Sequence, residues 1–350
     1  MTSTIDQPRL TYSREELLSS HDYAAPHVVA GRTLHGGLLA DGTYMPPRAL
    51  GRTAALEAWE QALVRRGGRP FPASADLLGG IRMPNTAQRL VLHRNGITDE
   101  FWNMLTVVGK IEARGAFIGL FPVPDLSEYI VEDTSTMAIG HHAGGLFEAH
   151  GIDEGGIPAE GIGGHDGMWF VARDLAYGPD AFPDVEPQPG LAREDGGRYL
   201  PEVAQEVEDL FSFIANVLII EFRAEIGFAE SQEILRTPGL FGERADDALL
   251  AAEIVGRIRT DEEIHVRSLN LYLGELQSVT VRTLDGGTIA GAELVERFWD
   301  GMVRWATVDK PRLDAERTRQ RLEERILAEP DGERILAEFA TAGQSVSGTD

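Results

Sequence analysis

The stretch IVGRIRTDEEIHVRSLNLYL, residues 254–273, decides how the rest of the chain is read. Ile254, Ile258, Glu262, His265, Leu269 and Leu273 recur at steps of three and four, the spacing of one face of an α-helix. Two of those six core positions hold ionisable side chains. Burying a carboxylate costs several kcal/mol unless a partner compensates it. A metal ion suits a glutamate and a histidine one helical turn apart. The apolar period predicts a helix over about 245–276.

Working outward, residues 200–236 predict a second long helix. Its segment from Leu210 to Phe228 is apolar almost all round, which places it inside the protein. Glu221 and Glu225 share one face of it, at i and i+4. Upstream, Thr98-Asp99-Glu100 reads as a helix start, and a helix is expected over about 99–119 with Glu112 facing inward beside Leu105 and Val108. After Pro122-Val-Pro-Asp, a further helical region covers about 126–151, with a break near Asp133-Thr-Ser-Thr. There Met137, His141 and Glu148 fall on one face. Two long helix pairs, 99–151 and 200–276, joined by a long crossover, outline a four-helix bundle with one long connection.

Other segments frame this body. Residues 1–97 read as an irregular segment with a short hairpin around Asp41-Gly42 and a helix over 53–65. Residues 98–276 form the predicted metal-binding bundle. Residues 277–342 form a C-terminal extension with a hairpin over 279–287 and helices near 291–305 and 311–328, and 343–350 is a disordered tail. The alternating Arg and Glu of 311–328 read as a solvated face. Gly151, Gly155, Gly156, Gly161, Gly163 and Gly164 match no nucleotide-binding pattern and read as a flexible connector. Residues 178–195, with four prolines, read as the crossover loop.

Composition narrows the function. The chain has 350 residues, 43% of them hydrophobic, a net charge of −24 and no cysteine. Such an acidic chain is a poor nucleic-acid partner. Without cysteine it has no disulfides, thiolate ligands or cysteine nucleophile. Its first ten residues lack a basic stretch followed by an apolar core. The longest apolar run, Phe211 to Ile220, is too short for the roughly 20 residues that cross a bilayer. A soluble, cytoplasmic protein is expected. No Ser-His-Asp arrangement and no His-Glu-x-x-His sequence is present.

Glu225, followed by Asp261-Glu262-Glu263-Ile264-His265, resembles the E…D-E-x-x-H pattern of ferritin-like di-iron and di-manganese carboxylate proteins. The resemblance covers about 99–276. It implies a mainly α, ferritin-like four-helix bundle holding two metal ions, iron or manganese, among Glu112, His141, Glu148, Glu221, Glu225, Glu262 and His265. The first half departs from the pattern, since it has no Glu-x-x-His. Either His141 keeps the histidine role with Glu148 as carboxylate, or His142 or His165 is the ligand, and a single-metal site is a further alternative. His150 and His165 otherwise read as polar surface residues, and His21, His27, His35 and His93 as structural or exposed.

The resemblance implies a non-haem di-iron oxidase or oxygenase that acts on a small organic substrate with O2 and takes electrons from a separate reductase. Phe117, Phe211, Phe213, Phe222, Phe228 and Trp169 are candidates to line its pocket. A non-enzymatic helical scaffold with a buried Glu/His network is the alternative. A manganese catalase-like or metal-storage protein is a third. No membrane or nucleic-acid partner is expected, and a homodimer is compatible with each reading.

Overall fold

The computed structural model describes residues 9–79, 83–187 and 197–344, and the chain is mainly helical over them. The expectations for the first eight residues, for part of the 66–90 and 178–195 loops and for most of the C-terminal tail lie outside these residues. Among the described residues, no helix is long and apolar enough to cross a membrane.

The N-terminal segment is more ordered than its composition suggests. A short helix α1 (Arg14–Leu18) starts on a reciprocal cap between Ser13 and Glu16. Strands β1 (Ala25–Val29), β2 (Arg32–Leu38) and β3 (Tyr44–Met45) then form an antiparallel sheet. The turn between β1 and β2 uses Ala30 and Gly31, both at positive φ, as a tight hairpin requires. The expected hairpin around Asp41-Gly42 is the β2–β3 pair. Helix α2 (Ala49–Arg65) follows, with Leu56, Trp59 and Leu63 buried. The Trp59 indole N–H donates to the Leu10 carbonyl at 2.9 Å. Helix α3 (Thr86–Arg94) leads into the helical body.

Helix α4 (Asp99–Gly115) starts where expected, but Thr98 makes no side-chain cap. Asp99 and Glu100 are instead held by Arg325 and Arg321. The helix continues as a 3₁₀ segment, Ala116–Leu120.

The region expected as one helix over 126–151 is not continuous. It contains α5 (Leu126–Tyr129), two 3₁₀ turns and a π-turn over His142–Leu146, and only then α6 (Phe147–Gly155). Gly145, at φ 125°, sits at the kink and takes a backbone shape that other residues resist.

The glycine-rich stretch is tightly packed rather than a loose tether. A Cβ on Gly151 would lie 2.8 Å from the Gly119 nitrogen and 2.9 Å from the Ala116 carbonyl oxygen. Gly156 has φ +67°, where the chain turns into β4 (Ile162–Gly163), a strand parallel to β2. Helix α7 (His165–Tyr177) begins immediately afterwards.

Helices α8 (Gln205–Leu235) and α9 (Ala245–Gln277) match the expected pair closely. They pack along each other, while α7 lies against both α4 and α9. Phe211, Ile214, Leu218 and Phe222 of α8 join Leu269 and Leu273 of α9 in one core, and Phe228 joins Ile254 and Ile258 in a second. Each fully buried side chain of this kind contributes about 1.5–3 kcal/mol.

The C-terminal part comprises the β5 (Thr280–Arg282) and β6 (Thr288–Ala290) hairpin, then α10 (Gly291–Arg304), α11 (Lys310–Leu327) and α12 (Gly332–Gln344). Leu322, Ile326, Ile335 and Phe339 bury themselves against Val91, Leu92 and Ile97. The Arg/Glu-rich α11 therefore has a packed face, and two of its arginines clamp the start of α4.

Candidate metal centre

Five helices place ionisable side chains in one interior volume. Helix α4 contributes Glu112; α6 contributes His150, Asp153 and Glu154; α7 contributes His165; α8 contributes Glu221; and α9 contributes Asp261, Glu262 and His265. All nine are buried. On α6, His150 and Glu154 lie at i and i+4, so both reach the same side. His165 is the first residue of α7 and is fully buried because the β4 turn drops the helix start onto the cluster.

The donor atoms converge. Glu154 and Glu262 each direct one carboxylate oxygen toward His265 and the other toward His165. The Glu154 Oε1 and Glu262 Oε2 atoms lie 3.3 and 2.8 Å from His265 Nδ1. Their opposite oxygens lie 3.5 and 3.0 Å from His165 Nδ1. The two terminal carboxylates take one end each. Glu221 Oε1 is 3.0 Å from His150 Nε2, and Glu112 Oε2 is 3.7 Å from His165 Nδ1. Two overlapping groups result, His150–Glu154–Glu221–His265 and Glu154–His165–Glu262–His265, each with its ligand atoms within 4.8 Å of one another.

A set of aspartates surrounds these groups. His265 Nε2–H donates to Asp153 at 3.1 Å, so in the neutral ring, the form that binds a metal, Nδ1 is the lone pair facing Glu154 and Glu262. His165 Nε2–H donates to Asp261 at 3.3 Å, with the same consequence for its Nδ1. His165 and His265 thus each have their tautomer and ring orientation set by a carboxylate behind them, as metal-bound histidines typically do.

The aspartates are held in turn. Asp153 takes Arg48 and Arg52, the latter at 2.5 Å. Asp261 accepts from Tyr44 Oη at 2.8 Å and from His35 Nε2 at 2.9 Å. Behind His35, Arg257 donates to His27 Nε2 at 2.7 Å, so the His27 Nδ1–H donates to the His35 carbonyl at 2.9 Å.

The electrostatics follow from this crowding. Burial, reinforced by Glu154, pushes Glu112 well above the usual carboxylate range; burial and Glu262 do the same to Glu221. Burial also acts on Glu154 and Glu262, but the neighbouring imidazoles outweigh it, holding Glu154 well below its ordinary value and Glu262 at about 2. Burial would make His165 and His265 less basic, yet the adjacent carboxylates keep both well above the usual range.

A cation fits the volume on direct structural grounds. Glu154 Oε1, Glu262 Oε1 and His165 Nδ1 are fully buried, and although Glu262 Oε1 and His165 Nδ1 lie 3.0 Å apart, none of the three makes a hydrogen bond of good geometry. Unsatisfied buried polar atoms are costly, and those in native proteins call for a partner. All three face the same interior space, and a donor set of carboxylates and imidazoles without thiolates suits hard first-row ions.

Of the residues singled out in the sequence, Glu112, Glu221, Glu262 and His265 come together here. His141, Glu148 and Glu225 do not. His141 has both ring nitrogens engaged elsewhere, Nδ1 with the Met137 carbonyl at 2.7 Å and Nε2 with the Tyr12 amide at 3.2 Å. Glu148 points outward to Arg14 at 2.7 Å, because α6 begins only at Phe147 and its inward face passes through His150 and Glu154. Glu225 is exposed one turn beyond Glu221, in a polar cavity lined also by Arg259 and Gln232. His142 stacks on Phe147 at 4.2 Å, and burial lowers its pKa to about 3.

His150 and His165 are not surface residues, and His35 belongs to the shell behind Asp261. Asp153 and Glu154 escaped the sequence reading altogether. Their trace was the Asp-Glu dipeptide at 153–154, which repeats at 261–262.

No family model matches the chain, and neither a curated protein nor a solved structure matches it.

Proposed function

We propose that the chain is a non-haem dimetal oxidase or oxygenase built on a ferritin-like helical core, with two iron ions as its resident metals. The observation that carries this reading is the pair of carboxylates, Glu154 and Glu262, each spanning between His165 and His265 inside a closed ring of donors. Glu221, His150 and His265 would hold one ion and Glu112 and His165 the other, with Glu154 and Glu262 presenting an oxygen to each histidine. Bound there, two ferrous ions would supply the electrons and the binding position that reduction of O2 requires. The protein's part is to fix the donors, keep bulk water out and set the imidazole tautomers through Asp153 and Asp261. A separate reductase would return the electrons.

A storage role is less well supported, because a cavity of about 550 Å³ abuts the cluster at Glu112, Glu154 and Glu221. That volume falls in the range of small-molecule sites. Of the aromatic candidates, Phe117 and Phe213 line it, whereas Phe211, Phe222, Phe228 and Trp169 are core.

Plasma mass spectrometry on protein expressed with added iron and manganese tests the reading. About two equivalents of iron are expected, lost in Glu262→Ala with the helical content retained. No bound metal in either protein would sink the proposal and leave a structural Glu/His network. Two equivalents of manganese with rapid peroxide disproportionation would replace the oxygenase with a catalase.

A further inference from the structure

The same cavity carries information about its occupant. Its inner end is closed by the buried carboxylates Glu112, Glu154 and Glu221. Ile111, Phe213, Val217 and Ile220 form apolar walls, and Arg114, Lys310 and Arg317 stand around it as well. Arg114 and Arg317 are exposed, so they mark the solvent end. Lys310 pairs with Asp314, which also lines the cavity. Neither of the two arginines has an ion-pair partner among the described residues.

The cavity lining outside the cluster therefore bears three cations, the exposed Arg114 and Arg317 and the half-buried Lys310, against one carboxylate, Asp314, on a chain whose net charge is −24. Only two lysines occur in the whole sequence, and one of them is here. A concentration of positive charge against the trend of the molecule focuses anions toward an opening. The opposite end is lined by Glu112, Glu154 and Glu221, which the dimetal reading commits to the ions, and it offers no cationic side chain to receive a carboxylate.

Resting on the dimetal reading, we infer that the substrate is an amphipathic carboxylate that enters tail first. Its apolar body lies along Ile111, Phe213, Val217 and Ile220, its carboxylate stays at the mouth with Lys310, Arg114 and Arg317, and the end remote from the carboxylate meets the cluster. A cationic amphipath fits neither orientation well. Head outward it meets three cations, and head inward it loses its hydration within an apolar channel. A neutral amphipath takes the walls and gains nothing from the mouth.

Decanoate, decan-1-ol and decylammonium, titrated calorimetrically into metal-free and metal-loaded full-length protein, test this. Decanoate is expected to bind tightest and decylammonium weakest. The double variant Lys310→Met/Arg317→Gln should weaken decanoate roughly three- to tenfold, the range for two rim charges, and leave decanol unchanged. Added salt should weaken decanoate and spare decanol. Val217→Trp and, separately, the half-buried Ile220→Trp should reduce binding of both.

Equal affinity for decanoate and decylammonium would overturn the inference. So would a decanoate affinity untouched by the mouth variant, or binding that survives both tryptophans in folded protein. Metal content is read separately on the same samples. Charge-selective binding by a protein that takes up no metal would uphold the cavity assignment while removing the dimetal reading. Two bound irons without selectivity would do the reverse.

Discussion

Asp153→Asn and Asp261→Asn are matched substitutions with unequal consequences. Both aspartates precede a cluster glutamate, and both accept from the Nε2–H of a cluster histidine. Their other partners differ. Asp153 is fully buried between Arg48 and Arg52, whose side chains are 7% and 5% exposed. Asparagine keeps the shape but leaves two buried guanidinium ions facing a neutral amide. Removing one side of a buried ion pair costs about 3–5 kcal/mol. Asp261 is held by Tyr44, His35 and His165, and none of these contacts involves an arginine. Asparagine there retains an acceptor oxygen, so its cost should be about 1–2 kcal/mol, the scale of one weakened buried hydrogen bond. Metal affinity should respond alike, since each substitution loosens one histidine, and loss of such a supporting carboxylate costs about 10–100-fold. Urea unfolding of the metal-stripped proteins gives the first quantity, and competition against a chelator gives the second. A metal-stripped Asp153→Asn protein within about 1 kcal/mol of the parent, well below the buried-pair range, would refute the assignment of the arginine pair. An Asp261→Asn protein that binds iron with parental affinity would refute the role given to the aspartates.

Other consequences can be measured independently. Burial raises Glu275 to a pKa of about 7 despite the Ile139 amide and Arg66. A carboxyl raised in this way contributes stability that is fully present below its unfolded value near 4.5 and lost as pH rises through about 7. Glu275→Gln keeps an acceptor for Ile139 and should therefore gain up to roughly 3 kcal/mol relative to the parent between pH 5 and pH 8.5. Melting temperatures across that range check it, and parallel pH profiles for the two proteins would disprove it. Glu148→Gln should cost less than about 1 kcal/mol, as for a partly exposed ion pair, and it and Glu225→Gln should both retain full metal content. Loss of metal from either would reopen the ligand assignment. Gly151→Ala places a methyl group against backbone at 2.8 Å and should destabilise by about 1–3 kcal/mol, lowering metal occupancy as α6 shifts. Thermal melts with metal analysis measure both effects.

The fold was legible wherever a single helix carried its own period. Helices α8 and α9 agree with expectation to within a few residues, because long apolar stripes bounded by Thr237-Pro-Gly and by the turn at Ser278 leave little choice. The break at 130–146 was harder to see. Met137, His141 and Glu148 fit a helical face only if the helix is continuous, and the pair Gly144-Gly145 ends that continuity. The N-terminal sheet was half visible. The Asp41-Gly42 turn is a local signal, but the pairing of β2 with β4 joins Thr33 to Ile162 across most of the chain's first half, and no local pattern encodes it.

The centre itself was half legible for a related reason. On α9 the glutamate and histidine sit at i and i+3, so one helix shows both. In the other half the order is reversed and the spacing differs, His150 preceding Glu154 by four residues on α6, and a second histidine comes from another helix. Glu154 ends α6, and the histidine facing it opens α7, after a turn that depends on Gly156 at positive φ and on the Ile157–Ile162 backbone hydrogen bond. A search for a fixed spacing along one helix therefore fails and falls back on the nearest histidine and glutamate, His141 and Glu148. The repeated Asp-Glu dipeptide survives the division because each part does a separate job. The glutamate faces the cluster, and the aspartate supports a histidine of the opposite half, Asp153 under His265 and Asp261 under His165. With the supports crossed in this way, neither half holds on its own a histidine together with the aspartate that orients it. The sequence of one half alone could not have disclosed the partner set of the other.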